Sequence, residues 1–287
     1  MEKLGQHFLI NKNKIDKIID ALELKPKDTI IEIGPGHGEL TLPLARNFQF
    51  LISNFQIIAV EKDKKLAENL KRKFASEKNI KIINDDILKI LSKVPKSYIL
   101  NSKSYKIVGN IPYYITGYLL RIIGELTASP QRGESRPKIS GRKNKPSLIV
   151  LTIQKEVAER IVAKPPKMNL LAASVQFWAK PEIIDYIPKK DFRPAPKVDS
   201  AIIKLTPKTK TQNLTPKTYY SFIKFLFKQP RKTIMNNLEF RIKNLELRGK
   251  NKQKLKQKLL KIGINPQDRP QNLSVEKIKQ LSKTIKV

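Results

Sequence analysis

Apolar and polar positions along the chain change their period several times, and each change predicts a new element. Ile15, Ile18, Ile19 and Leu22 recur at helical spacing, which predicts an amphipathic helix closed by Pro26. Short β-branched runs follow at 29–33, 57–61, 80–84, 105–109 and 148–154, separated by helical patterns at 39–46, 64–74, 116–126 and 155–163. That alternation predicts an α/β fold, a Rossmann-like, mostly parallel sheet with helices on both faces. Two further runs, at 182–188 and 197–205, flank the proline-rich Phe192-Arg193-Pro194-Ala195-Pro196 and should end the sheet as an antiparallel pair.

After residue 206 the strand period disappears. Residues 207–214 are polar, threonine-rich and bounded by proline, the composition of a linker. Helical patterns then occupy 219–227, 232–245, 252–262 and 274–285, with Gly263, Pro266 and Pro270 marking a break. The predicted organisation is an α/β domain over 1–206, a linker over 207–214 and a small all-α domain over 215–287. Residues 128–146 fit neither pattern: with six basic residues, Pro, Gly and Ser, and no periodicity, they read as a flexible surface insertion in the first domain.

Composition narrows the chemistry. The chain has 287 residues, no cysteine and two histidines, which excludes a disulfide framework, a thiolate nucleophile and a zinc–thiolate site, and points to no metal. Its longest apolar runs, such as 148–153, fall far short of the roughly 20 residues that cross a bilayer. A cytoplasmic protein with no membrane contact is expected. The net charge of +33 would attract any polyanion, with nucleic acid the first to consider. From Thr206 to Val287 there are 21 basic and 4 acidic residues, so the helical domain is the denser half of that field. Arg231, Lys232, Lys250, Lys252, Lys254, Lys256 and Lys258 are its candidate RNA contacts.

The run 29–33 leads straight into Gly34, Pro35, Gly36, His37 and Gly38, at the strand-to-helix crevice where open α/β sheets bind ligands. A dinucleotide fingerprint would need glycine where Glu39 stands. The observed spacing suits a nucleoside cofactor without a pyrophosphate, although a plain tight turn would use the same glycines. Glu61 ends the second long run, 23 residues after Gly38, at the distance from which an acid takes ribose hydroxyls. Asp86 ends the third, where a carboxylate could accept from an adenine amine or cap a helix. Together they outline S-adenosylmethionine.

The fourth run ends in Asn110, Ile111, Pro112 and Tyr113. An exocyclic adenine amine is a poor nucleophile because its lone pair is delocalised into the ring. If the Asn110 side-chain oxygen and the Ile111 carbonyl accept its two hydrogens, the nitrogen turns pyramidal and its lone pair can face a sulfonium methyl. Tyr113 offers a stacking face for an extruded base, and Pro112 stiffens the turn. A strand-ending turn with a buried tyrosine is the plainer alternative.

These blocks resemble, in order and over almost the whole chain, the ribosomal RNA adenine dimethyltransferases. The resemblance rests on Gly5 to Leu9 (GQHFL), Glu32 to Thr41 (EIGPGHGELT), Asn110 to Ile115 (NIPYYI), Gln154 to Ala158 (QKEVA) and Phe192 to Ala201 (FRPAPKVDSA). It implies that His7, Leu9, Gly34, Gly36, Glu61, Asp86 and Asn110 meet the cofactor, while Asn110 and Tyr113 hold the target base and Phe192 packs on its other face. His37 between the glycines and Asp199 after Pro196-Lys197-Val198 resemble the small-subunit branch rather than the large-subunit enzymes of macrolide resistance. The implied reaction is dimethylation of N6 on two adjacent adenosines in the 3' terminal hairpin of small-subunit (16S) rRNA, by a monomer acting on a pre-30S particle. The alternatives are a non-catalytic RNA-binding assembly factor and a large-subunit methyltransferase. His7 departs from the family's asparagine, 165–169 from its usual Tyr-Gly stretch, and Gln229-Pro230 from a more basic pair.

Overall fold

Two-residue strands are too short to leave a period, and the chain opens with one, Phe8–Leu9 (β1). Helix α1 (Lys12–Ala21) follows, capped by the Asn11 side chain, and buries Ile15, Ile18 and Ile19 as their spacing predicts. It ends before Pro26. The structure, a computed structural model, describes residues 6–51, 55–93, 104–127, 145–208, 214–243 and 250–285. Residues 128–144 of the predicted insertion and 209–213 of the predicted linker lie outside these; 145–146 belong to a strand.

Runs of β-branched residues without alternation suit strands covered on both faces. Thr29–Ile33 (β2) and Gln56–Glu61 (β3) are such strands, buried along almost their whole length. Ile80–Asn84 (β4), Ser104–Asn110 (β5) and Lys145–Gln154 (β6) complete the parallel set. Ala179–Ile187 (β7) is followed by the short Phe192–Arg193 (β8) and by Ser200–Pro207 (β9). The main sheet has the order β4-β3-β2-β5-β6-β9-β7, with β9 antiparallel to both its neighbours. The antiparallel pair expected at 182–188 and 197–205 is therefore present, its later strand slotted beside β6. β8 leaves this sheet and pairs with β1, Leu9 opposite Phe192.

Between the strands run α2 (Thr41–Leu51), α3 (Lys64–Lys73), α4 (Ile87–Lys93), α5 (Thr116–Thr127), α6 (Lys155–Val162) and α7 (Leu170–Gln176). The all-α end comprises α8 (Pro216–Leu226), α9 (Ile234–Lys243), α10 (Lys250–Lys261) and α11 (Val275–Thr284). Among the described residues no helix is long and apolar enough to cross a membrane.

The chain divides into two compact units, the first ending at Lys208, and the second takes in a segment that the expected division had left in the first. Arg160–Trp178 belongs with the C-terminal helices, while Ala179–Lys208 belongs with the sheet. The physical reason is aromatic packing within the second unit. The Phe177 ring stacks on Tyr219 at 4.1 Å, and Lys279 Nζ lies 5.2 Å from the same ring. The Met168 amide donates to the Gln271 carbonyl at 3.1 Å, and the Tyr219 hydroxyl to that of Ala173 at 3.2 Å. Burial drives the Tyr219 pKa upward, so this hydroxyl stays protonated and donating.

Candidate active site

Strand register decides which residues meet at the carboxyl edge of the sheet. Ile33 pairs with Val60 on β3 and with Gly109 on β5, so the next residue on each strand, Gly34, Glu61 and Asn110, stands in one row. Glu61 pairs in turn with Asn84 on β4, which extends the row to Asp85 and Asp86. Open α/β sheets bind ligands along such an edge. His7, Leu9, Gly34, Gly36, Glu61, Asp86, Asn110, Ile111, Pro112, Tyr113 and Phe192 all line one pocket in the first unit. The predicted RNA contacts lie in the second unit, Arg231 and Lys232 exposed before α9, and Lys250 to Lys258 along α10.

The two leading glycines have different reasons to be glycine. Both adopt left-handed backbone, with φ of +62° at Gly34 and +63° at Gly36, where a side chain is disfavoured. A Cβ on Gly34 would meet no protein atom within 4 Å, so the space there belongs to the pocket. A Cβ on Gly36 would lie 2.7 Å from the Phe8 ring. Close approach of a cofactor, the reason expected for both, suffices at Gly34; at Gly36 the packing of Phe8 already requires it.

Glu61 is buried, yet both its oxygens are held. Oε2 accepts from the Gly36 amide at 3.1 Å and Oε1 from the Asp63 amide at 2.9 Å. Burial raises its pKa, and these two amide donors counter the rise. A carboxylate has about four lone-pair sites, so acceptor capacity remains for a hydroxyl donor. Asp86 holds a helix start and also faces the pocket. Its Oδ1 accepts from the Leu88 amide at 2.9 Å at the start of α4, its Oδ2 lies 3.2 Å from Lys62 Nζ, and it lines the pocket.

Asn110 donates from Nδ2 to the His7 carbonyl at 2.6 Å. The His7 ring in turn sets its Nδ1 2.7 Å from the Pro194 carbonyl, so Nδ1 donates to that oxygen. Tyr113 is half-buried, its hydroxyl 3.4 Å from Ser200 Oγ and its ring 6.2 Å from that of His7. Phe192 is buried in the core cluster while contributing to the pocket wall.

One pocket residue opens the Glu32 to Thr41 block but is given no role there. Glu32, in the middle of β2, is 1 % exposed and accepts from Thr41 Oγ1 at 2.8 Å. Its signal in the sequence is a lone acid inside an otherwise apolar strand. Burial pushes its pKa up to about 8, so it is protonated in the folded protein at neutral pH. The unfolded chain titrates near 4.5, so between there and about 8 it binds fewer protons than the native state, and stability falls as pH rises. Urea unfolding at pH 5 and pH 8 should show a smaller decline for Glu32→Gln than for the wild-type chain. Equal declines would mean that Glu32 does not titrate in this window.

A parallel sheet in this order, a glycine turn open to the pocket and a buried carboxyl with lone pairs to spare on the next strand define an S-adenosylmethionine-dependent methyltransferase. These features fit that cofactor: Glu61 as acceptor for a diol, and the space above Gly34 for close approach to backbone. Residues 1–286 match the family model described as ribosomal RNA adenine dimethylase. The chain belongs to the ribosomal RNA adenine dimethylase family. It is 38% identical over 280 residues to the ribosomal RNA small subunit methyltransferase A of Dehalococcoides mccartyi, covering 97% of this chain and 86% of that one. With its namesake from Bacillus cytotoxicus it shares 33% over 290 residues, covering 99% and 90%. A solved dimethyladenosine transferase from Plasmodium falciparum superposes with a TM-score of 0.72 at 25% identity, over 96% of this chain and 98% of that one. The 23S rRNA methyltransferase ErmE shares the fold, with a TM-score of 0.69 at 22% identity over 98% and 100% of the two chains.

Proposed function

We propose that this chain transfers methyl groups from S-adenosylmethionine to N6 of two adjacent adenosines in the 3' terminal hairpin of small-subunit rRNA, giving N6-dimethyladenosine. It acts as a cytoplasmic monomer on a pre-30S particle. The observation that carries this reading is the Asn110 amide. Because Nδ2 donates to His7, Oδ1 is the atom left to accept from a base amine. When bound, the cofactor supplies a methyl group on a positively charged sulfur. In the first transfer Asn110 Oδ1 and the Ile111 carbonyl accept the two N6 hydrogens and aim the nitrogen lone pair. In the second, one of them accepts the hydrogen that remains. Each transfer releases one N6 proton to solvent, and the contribution is one of orientation and electrostatics. Tyr113 and Phe192 flank the base, and Pro112 holds the turn rigid. Glu61 accepts from the ribose hydroxyls and Asp86 from the cofactor's adenine, while His7, Leu9, Gly34 and Gly36 line the remainder of its seat.

Mapping N6-dimethyladenosine in small-subunit rRNA from cells with and without the protein tests the whole reading; modification that persists without it sinks the reading. The cofactor seat has its own test. Glu61→Ala and Asp86→Ala should each weaken S-adenosylmethionine by about 1–3 kcal/mol, the usual cost of losing a charged acceptor. Calorimetry measures this directly, and unchanged affinity in both variants would place the nucleoside elsewhere. Asp86→Asn separates the roles of that residue, because it keeps an acceptor for the Leu88 amide and removes only the charge.

A further inference from the structure

Tyr114 and Tyr118 are the two most exposed large apolar side chains among the described residues, at 64% and 56%. They lie four residues apart where the 3-10 turn Tyr113–Ile115 runs into α5, a spacing that sets side chains on one face. The opposite face of α5 is core, with Leu119, Leu120, Ile122 and Ile123 buried. Between the two tyrosines stands Gly117, where an added Cβ would meet nothing within 4 Å, so the exposed face is also open. Tyr114 belongs to the rim of the catalytic pocket itself. Two aromatic rings thus continue the pocket wall outward, next to Tyr113.

Extruding one adenine into that pocket strips its neighbour of a stacking partner. Exposed aromatic rings restore this loss for any base, because every base has a π-face. Resting on the function proposed above, we infer that Tyr114 and Tyr118 form the stacking platform for the nucleotide beside the flipped adenine, and so help the enzyme act on adjacent adenosines. The contact needs the ring; the hydroxyl is dispensable.

The test is a double cycle on small-subunit particles, one partner being an abasic residue beside the target adenosine and the other the Tyr114→Ala, Tyr118→Ala double variant. Wild-type methylation of intact particles tests the underlying function on its own. Given that activity, the double variant should raise the half-saturating concentration of intact particles roughly 5- to 100-fold. It should cost little more on abasic particles, because the lost partner is the same. The Phe pair should stay within about threefold of wild type, and the Leu pair should resemble Ala. Additive losses in the cycle would assign the tyrosines to the fold or to another part of the RNA. Full activity in the Leu pair would reduce the face to apolar cover. Either result overturns the inference.

Discussion

Replacing Asn110 with alanine should leave S-adenosylmethionine bound nearly as tightly as in the wild-type chain while methyl transfer falls by roughly 100-fold or more. The asymmetry follows from how the amide is held. Its NH₂ group is engaged by the His7 carbonyl at 2.6 Å, which leaves Oδ1 as the acceptor for the substrate amine. That acceptor matters little to the cofactor. It matters most when the adenine nitrogen becomes pyramidal, so its loss is felt in the transition state. Asn110→Asp should also be slow, for a different reason: a carboxylate cannot donate to the His7 carbonyl and would be repelled by it. Single-turnover rates at saturating cofactor, with the cofactor titrated separately, distinguish the two effects. An alanine variant that turns over at close to the wild-type rate would remove orientation by Asn110 from the mechanism.

Motifs at strand ends were legible because each is contiguous and each strand carries a clear period. β2 and β4 coincide with their apolar runs, and the parallel register then aligns Gly34, Glu61 and Asn110 without further information. What eluded sequence reasoning is short or lacks a polar face. β1 and β8 have two residues each, and α7, Leu-Leu-Ala-Ala-Ser-Val-Gln, has too few polar positions to mark a helical period. The network joining Asn110 to His7 and His7 to Pro194 spans 103 and 187 residues of chain, and no local pattern announces it. The grouping of Arg160–Trp178 with the C-terminal helices was not legible for a related reason. Phe177 stacks on Tyr219, 42 residues further on, and no local pattern announces that contact.

That packing changes how RNA recognition by the C-terminal helices should be tested. Ending the chain near residue 206 would remove Tyr219 and expose Phe177, so lost activity could reflect damage to Arg160–Trp178 rather than a lost RNA contact. Charge neutralisation avoids this. In α10 the buried Leu255 and Leu259 define the inner stripe. Of the five predicted lysines of α10, at 100° per residue Lys254 lies about 120° from the centre of that stripe, Lys256 and Lys258 about 80° to either side, and Lys252 about 40°. Lys252 already lies 3.1 Å from Glu239, so it should contribute least to RNA. Changing all five to glutamine preserves helix propensity and the buried stripe. Affinity for small-subunit particles should fall roughly 100-fold at moderate salt. The log-log salt slope should shrink by about 0.7 to 0.9 for each lysine that contacts a phosphate. Binding measured across a salt series, with helicity checked by circular dichroism, reads both quantities. If the slope is unchanged in a folded variant, these lysines form a solvated face and the positive charge that holds the RNA lies elsewhere, with exposed Arg231 and Lys232 the next pair to neutralise.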